Sequence, residues 1–188
     1  MGKQIWKAGN MVYPLPAVLI TVRDADGNDN VFTVAWAGTV CTNPAMLSIS
    51  VRPERHSYKA IKETGVFALN LTTESLAYAT DYCGVRSGRD EDKFASCDLH
   101  KEEAKNVNVP LIKESPVNIE CRVVEEKELG SHTMFIAEVL AINSDKKYID
   151  EKGAFDISKC NLISYANGGY YSMGKKLGKF GFSVKKNK

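Results

Sequence analysis

No stretch of this chain approaches the ~20 consecutive apolar residues that a membrane-spanning helix needs, so a helical membrane protein is not expected. The first ten residues carry Lys3 and Lys7 without an apolar core, so a secretory leader is not expected either, and the cytoplasm is the expected location. The five cysteines are Cys41, Cys83, Cys97, Cys121 and Cys160. Their number is odd and no C-x-x-C occurs, which gives no basis for a disulfide framework or a metal site. Cys41 and Cys121 lie in apolar, strand-like surroundings and read as small core residues. There is no G-x-G-x-x-G, no G-x-S-x-G elbow and no H-E-x-x-H. The net charge of +2 supplies no general attraction to nucleic acid or to an anionic membrane, and the six lysines of Lys175–Lys188 read as a solvated, flexible tail.

Two near-motifs fail on inspection. Gly169–Lys176 resembles a phosphate-binding P-loop, but Lys176 stands where Mg²⁺ binding needs Ser or Thr. Asp24-Ala25-Asp26-Gly27 resembles part of a calcium loop, but it lacks the later acidic ligands. A hairpin turn accounts for it.

What is present is a chain of short strands. With 188 residues, 44% of them hydrophobic, the length suits one domain spanning 1–188. Ala17–Val22 and Val31–Ala37 flank the Asp24–Asn28 turn cluster as a hairpin. Met46–Val51 and Gly65–Leu71 are further strands, and Val117–Val124 and Thr133–Ile142 form a second hairpin around Leu129-Gly130-Ser131. Ser57 reads as the N-cap of a short helix over Tyr58–Thr64, stopped by Gly65. A second helix is expected over Glu74–Tyr82, with Thr72 and Thr73 as candidate caps. Arg86–Glu103 reads as a charged loop with some helix, and Ser158 onward as a Gly- and Lys-rich segment. Many short strands with few helices predict a mainly β antiparallel barrel. In Thr133–Ile142 both faces are apolar apart from Glu138, so the strand needs either a second subunit or a covering helix on its outer side.

Three features are candidate ligand surfaces. In Phe32–Ala37, alternation puts Phe32, Val34 and Trp36 on a core face and the small Thr33, Ala35 and Ala37 on the other. The small face suits either a flat ligand or close strand packing. Ser48, Ser50 and Arg52 share a face of the next strand and lead into Arg55, His56 and Ser57 at a helix start. Amides and dipole there favour an anion, although a plain surface turn also explains them. His132, at the entrance of the long apolar strand, is either solvated or at a cofactor's edge.

Five stretches in order, NVFTVAWAGTVCTNPAMLSISVRPERHSYKAIKETGVFALNL, SGRDEDKF, SPVNIECRVVE, GSHTMFIAEV and YYSMGKKLGKFGFS, cover nearly the whole chain. Together they resemble the flavin-reductase-like FMN-binding split-barrel family, near flavoredoxin. The resemblance implies an antiparallel Greek-key split barrel, a homodimer and one FMN per subunit near the dimer interface. Thr33, Ala35 and Trp36 would then line the isoalloxazine, and Ser50, Val51 and Arg52 would continue its wall. His56 and Ser57 would hold the phosphate, with Thr39 and Asn70 at further family positions. His132 matches the histidine of the family's G-D-H motif on the nicotinamide side, with Ser131 in place of the aspartate. The implied activity is electron transfer from NADH or NADPH through FMN to flavin or another acceptor. The alternative is a flavoredoxin-type carrier serving a redox partner protein without NAD(P)H activity of its own. No metal is implied.

Overall fold

The computed structural model describes residues 2–184. Along the chain come β1 (Leu15–Pro16), β2 (Val18–Arg23), β3 (Asp29–Val34), β4 (Ala37–Cys41), β5 (Met46–Val51), α1 (His56–Thr64) and β6 (Val66–Leu71). Then follow α2 (Ala77–Val85), α3 (Lys93–Ser96), β7 (Lys101–Glu103), β8 (Pro110–Ile112), β9 (Val117–Leu129), β10 (His132–Ser144), β11 (Ile163–Ala166) and β12 (Gly169–Ser172).

Seven strands form one antiparallel sheet in the order β3-β2-β6-β9-β10-β5-β4. Its two edge strands, β3 and β4, are consecutive in the chain and separated only by Ala35 and Trp36. Two residues cannot span a flat seven-stranded sheet, so the sheet must curl until its edges meet. The result is a mainly β, antiparallel barrel, split at a seam occupied by Ala35 and Trp36. Trp36 O accepts from Ser50 N–H at 2.8 Å, which ties the seam to β5. This break also overturns the continuous strand expected over Val31–Ala37. Trp36 leaves the core face and is 37% exposed.

The barrel interior is apolar: Ile20 and Val22 of β2, Phe32 and Val34 of β3, Leu47 and Ile49 of β5, Phe67 of β6 and Phe135 of β10 are buried together. α1 closes one end with Ala60 and Ile61. On the opposite side of β2 and β3, Leu19 and Val31 pack against Leu76, Ala79 and Cys83 of the α2 region and Phe94 of α3. A strand covered on both faces reads as an unbroken apolar run, which explains VLITV. α1, α2 and α3 pack on β2 and β3, and among the described residues no helix makes a substantial contact with β10, which leaves its outer side without a helical cover. There Met134 and Ile136 are half-buried.

Turn chemistry is largely as read. Asp24 Oδ1 accepts from the amides of Asp26 (3.0 Å) and Asn28 (2.8 Å) and closes the β2–β3 hairpin. Gly65 (φ 67°) ends α1 by donating its N–H to Ile61 O at 2.9 Å. Four readings are corrected. The N-cap of α1 is Arg55, not Ser57, because the Ser57 hydroxyl lies inside the helix and accepts from Asn30 Nδ2 at 2.7 Å. The expected Glu74–Tyr82 helix starts as a 3₁₀ turn, Glu74–Leu76, and its α-helical part runs on to Val85. Thr72 does not cap it, since its hydroxyl donates to Ala17 O. Cys41 sits half-exposed on the edge strand β4, whereas Cys121 is fully buried. Ahead of the lysine-rich end, β11 and β12 pair with β1 as a three-stranded sheet. Of the lysine-rich end, residues 185–188 lie outside the described residues.

One buried carboxylate fastens the loop before β8. Glu120 on β9 is 0% exposed and accepts from Asn106 N–H (2.6 Å), Lys105 N–H (3.2 Å) and Asn143 Nδ2 (2.8 Å). Burial pushes its pKa up, but the hydrogen bonds from Asn143, Asn106 and Lys105 together hold it below the usual glutamate value. A folded-state pKa below the unfolded one stabilises the fold above about pH 4.3 and is lost as pH falls through the folded value. Glu120→Gln is therefore expected to lower stability at neutral pH by about 1–3 kcal/mol. Urea melts should also show a shallower loss of stability below about pH 4.3 in the variant than in the parent.

Candidate functional site

The seam opens into a cleft of about 320 Å³ lined by Thr33, Ala35, Trp36, Ser50, Val51, Arg52, Arg55, His132 and the tyrosines Tyr165 and Tyr170. Ladder pairing stops at Ala35–Trp36, and both residues line the cleft. Val51 keeps its side chain in the barrel core and can offer the cleft only its backbone. The Trp36 and His132 rings lie parallel, 6.2 Å apart between centroids and 4° between planes. Tyr165 and Tyr170 meet edge-on at 5.8 Å on the β11–β12 hairpin. Burial first, then the nearby Arg52, push the His132 pKa below the usual histidine value, with Glu54 opposing. His132 is therefore neutral at pH ~7. Burial, joined by the Asp81 carboxylate, pushes the Tyr170 phenol up to about 12, so it keeps its proton. The cleft is flat-walled and, apart from Arg52 and Arg55 at one end, uncharged.

Those two arginines, with Phe32, Thr33 and Gly84, also line a second cleft of about 370 Å³, so the two are one continuous groove. The second part is cationic. Tyr58 N–H turns back onto Arg55 O at 3.0 Å, and His56 and Ser57, the first residues of α1, are among its lining. Across from them stand Arg86, Ser87, Gly88, Arg89 and Lys93. Arg52 is paired with Glu54 (3.1 Å) and Arg86 with Glu91 (3.8 Å). Among the described residues, Arg55, Arg89 and Lys93 have no carboxylate partner. Arg55 Nη1 donates to Gly84 O (3.2 Å) and Arg89 Nη2 to Glu54 O (3.2 Å). Lys93 is 2% exposed, and its Nζ donates to Cys83 O (3.2 Å) and Arg86 O (3.3 Å), carbonyls at the C-terminal end of α2. Burial pushes its pKa below the usual lysine value, and Arg55 adds to that, with Cys83 opposing. A cavity edged by three cations without counter-charges is built for an anion.

The groove thus suits a planar ring joined to a phosphate. A larger cleft of about 490 Å³ between β1 and β11 has no charged lining and does not. Among the described residues no cluster of three potential metal ligands occurs.

The structure gathers most of the expected site residues along this groove, with two exceptions. Asn70 is fully buried in the wall of the barrel. It donates to Leu19 O (2.9 Å) and Thr21 Oγ1 (3.2 Å) and accepts from Ile112 N–H (3.1 Å) and Asn118 Nδ2 (2.7 Å). All its hydrogen bonds are taken inside the fold, so it ties β2, β6 and β9 together rather than facing the groove. Thr39 is exposed on β4 and borders a neighbouring cleft with Trp36, Ser48 and Ser50. Thr33 lines the groove, but its hydroxyl donates to Thr80 O of α2. Sequence reasoning missed Arg86, Ser87, Gly88, Arg89 and Lys93, along with Tyr165 and Tyr170. The SGRDEDKF stretch offered a signal, since a Ser-Gly pair amid alternating charges is unusual for a purely solvated loop.

Residues 10–174 match the family model described as a flavin reductase like domain. The chain belongs to that family. This flavin reductase-like chain is also similar to a flavoredoxin of Desulfovibrio vulgaris (Miyazaki F), with 31% identity and a TM-score of 0.91, covering 98% of this chain and 100% of that one. A flavoredoxin from Methanosarcina acetivorans is similar at 30% identity and a TM-score of 0.87, again over 98% and 100% of the two chains. An uncharacterized protein of Archaeoglobus fulgidus is 35% identical over 141 residues, 75% of this chain and 78% of its own. No described helix of this flavin reductase-like chain is long and apolar enough to cross a membrane.

Proposed function

We propose that this chain is an FMN-binding oxidoreductase that passes electrons from NADH or NADPH through bound FMN to free flavin or another acceptor. The observation that carries this reading is the groove: three cations without carboxylate partners at one end, an uncharged aromatic slot at the other. When bound, FMN would supply the acceptance of hydride and its onward release as electrons. The protein's part is to hold and orient. Arg55, Arg89, Lys93 and the His56 and Ser57 amides would fix the phosphate. Ala35 and Thr33 leave room for a flat ring beside Trp36, and Ser50 and the backbone at Val51 would meet its polar edge. Neutral His132 stands at the slot's mouth, where it would position the nicotinamide without repelling a hydride donor by charge.

The slot works by keeping short side chains against the ring. Ala35→Leu places three further carbons in it and is expected to weaken FMN binding at least tenfold by fluorescence titration, with the melting temperature unchanged.

A homodimer is part of the proposal. On the outer side of β10, Met134 and Ile136 are half-buried with no described helix above them, a face suited to a second copy. Sedimentation velocity is expected to show a dimer.

Mixing the FMN-loaded protein anaerobically with NADH or NADPH tests the activity. Bleaching of the flavin band within seconds supports it. A second reading, a carrier reduced only by a redox partner protein, is favoured by the two flavoredoxins that align over 98% of the chain. That carrier would keep its yellow colour with both nicotinamides and bleach with dithionite.

A further inference from the structure

Two cysteines meet behind the anion-binding end of the groove. Cys83 Sγ lies 3.9 Å from Cys97 Sγ, and both are free thiols. Cys83 is buried in the last turn of α2, while Cys97 follows α3 and is half-exposed. The chain between them, residues 84–96, carries Arg86, Ser87, Gly88, Arg89 and Lys93, the whole loop side of the anion pocket. The two ends of this loop are held by non-covalent ties, chiefly Lys93 Nζ to Cys83 O and Arg86 O. A bond between them needs the sulfurs to close from 3.9 Å to about 2.05 Å.

We propose that Cys83 and Cys97 are a redox-active pair whose disulfide clips the anion-binding loop shut and slows the release of the flavin phosphate. The second half of this rests on the FMN reading above. The oxidant is a low-molecular-weight disulfide, RSSR. Half-exposed Cys97 loses its proton and attacks one sulfur of RSSR, forming a mixed disulfide and expelling RS⁻, which takes up a proton. Cys83 then loses its proton and displaces the second RS⁻, closing the Cys83–Cys97 bond. Two protein thiols are oxidised and one RSSR is reduced to two RSH. Burial first, then Cys97, push the Cys83 thiol up to about 12, and burial raises Cys97 as well. The exchange is therefore slow at neutral pH and faster in mild base. Once formed, the bond fixes the spacing of the loop's ends, so less ordering remains to be done when phosphate binds.

The test uses the full chain with oxidised glutathione at about pH 8.5, followed by dithiothreitol. Non-reducing peptide maps are expected to show Cys83 joined to Cys97. Tryptic cleavage after Arg86, Arg89 and Lys93 should slow about tenfold in the oxidised protein, and FMN dissociation about fivefold. Dithiothreitol should reverse both, and Cys97→Ser should show neither. Glutathione left on Cys97 without a bridge, or a bridge that leaves cleavage rates unchanged, overturns the clip. Slowed cleavage with unchanged FMN release overturns the effect on the flavin. If neither redox state binds FMN, the FMN reading and the release effect fall together, and the cleavage rates still decide the clip.

Discussion

Lys93→Met is expected to weaken FMN binding about a hundredfold while leaving riboflavin binding nearly unchanged. Methionine keeps the length and apolar stem of the side chain, so the site stays filled while the charge is lost. Lys93 is 2% exposed and lines a cavity also edged by Arg55 and Arg89. A charge-assisted hydrogen bond contributes roughly 1.5–3 kcal/mol, or about tenfold to 150-fold in affinity, and a buried one lies toward the top of that range. Riboflavin has the ring and the ribityl chain but no phosphate, so it does not use this cation. Calorimetric titration with both ligands reads the difference. Methionine also gives up the bonds from Lys93 Nζ to Cys83 O and Arg86 O, so urea unfolding is expected to show a loss of about 1–3 kcal/mol while the chain stays folded. Equal losses for FMN and riboflavin would mean that Lys93 supports the fold of the groove rather than the phosphate.

Gly88→Ala is expected to damage both stability and FMN binding, through one contact. A Cβ at Gly88 would sit 2.3 Å from Asn30 Oδ1 and 2.9 Å from its Nδ2. Asn30 is 8% exposed and held in place by donating to Ser57 Oγ at 2.7 Å. To make room it must swing away, which leaves Ser57 without its donor where α1 meets the anion pocket. Overpacking together with a lost buried hydrogen bond should cost about 2–4 kcal/mol in urea unfolding. FMN affinity should fall about tenfold, because Ser57 and the loop move relative to each other. Asn30→Ala removes the obstacle, so the double variant should be less unstable than the sum of the two single changes. Strict additivity would rule out this contact as the cause.

Much of the barrel was legible from local pattern. The Asp24–Asn28 turn, the Gly65 stop and the Gly130-Ser131 hairpin are set by short-range chemistry, and the strands beside them alternate or run apolar as their burial requires. The break at Ala35–Trp36 was not legible. Its cause is the meeting of two sheet edges, β3 and β4, which no window of six residues can register. Trp36 therefore reads as core in the sequence and stands at the groove in the fold. Ser57 looked like a cap because a hydroxyl at a helix start usually is one, yet a distant partner, Asn30, outcompetes the local amide. Asn70 went astray the opposite way. Only the family resemblance set it at the cofactor, whereas in the fold β2, β8 and β9 take its hydrogen bonds. The cationic wall of Arg86, Arg89 and Lys93 hid in a stretch that looks solvated, because Lys93 is buried only once α3 folds against α2 and β3.

A crystal structure of the FMN complex tests the groove most directly. The phosphate is expected within hydrogen-bond reach of Arg55, Arg89 and Lys93, with the tricyclic ring lying along Ala35 and Trp36 at the seam. A phosphate remote from those three cations, or a ring seated in the apolar cleft between β1 and β11, would contradict it.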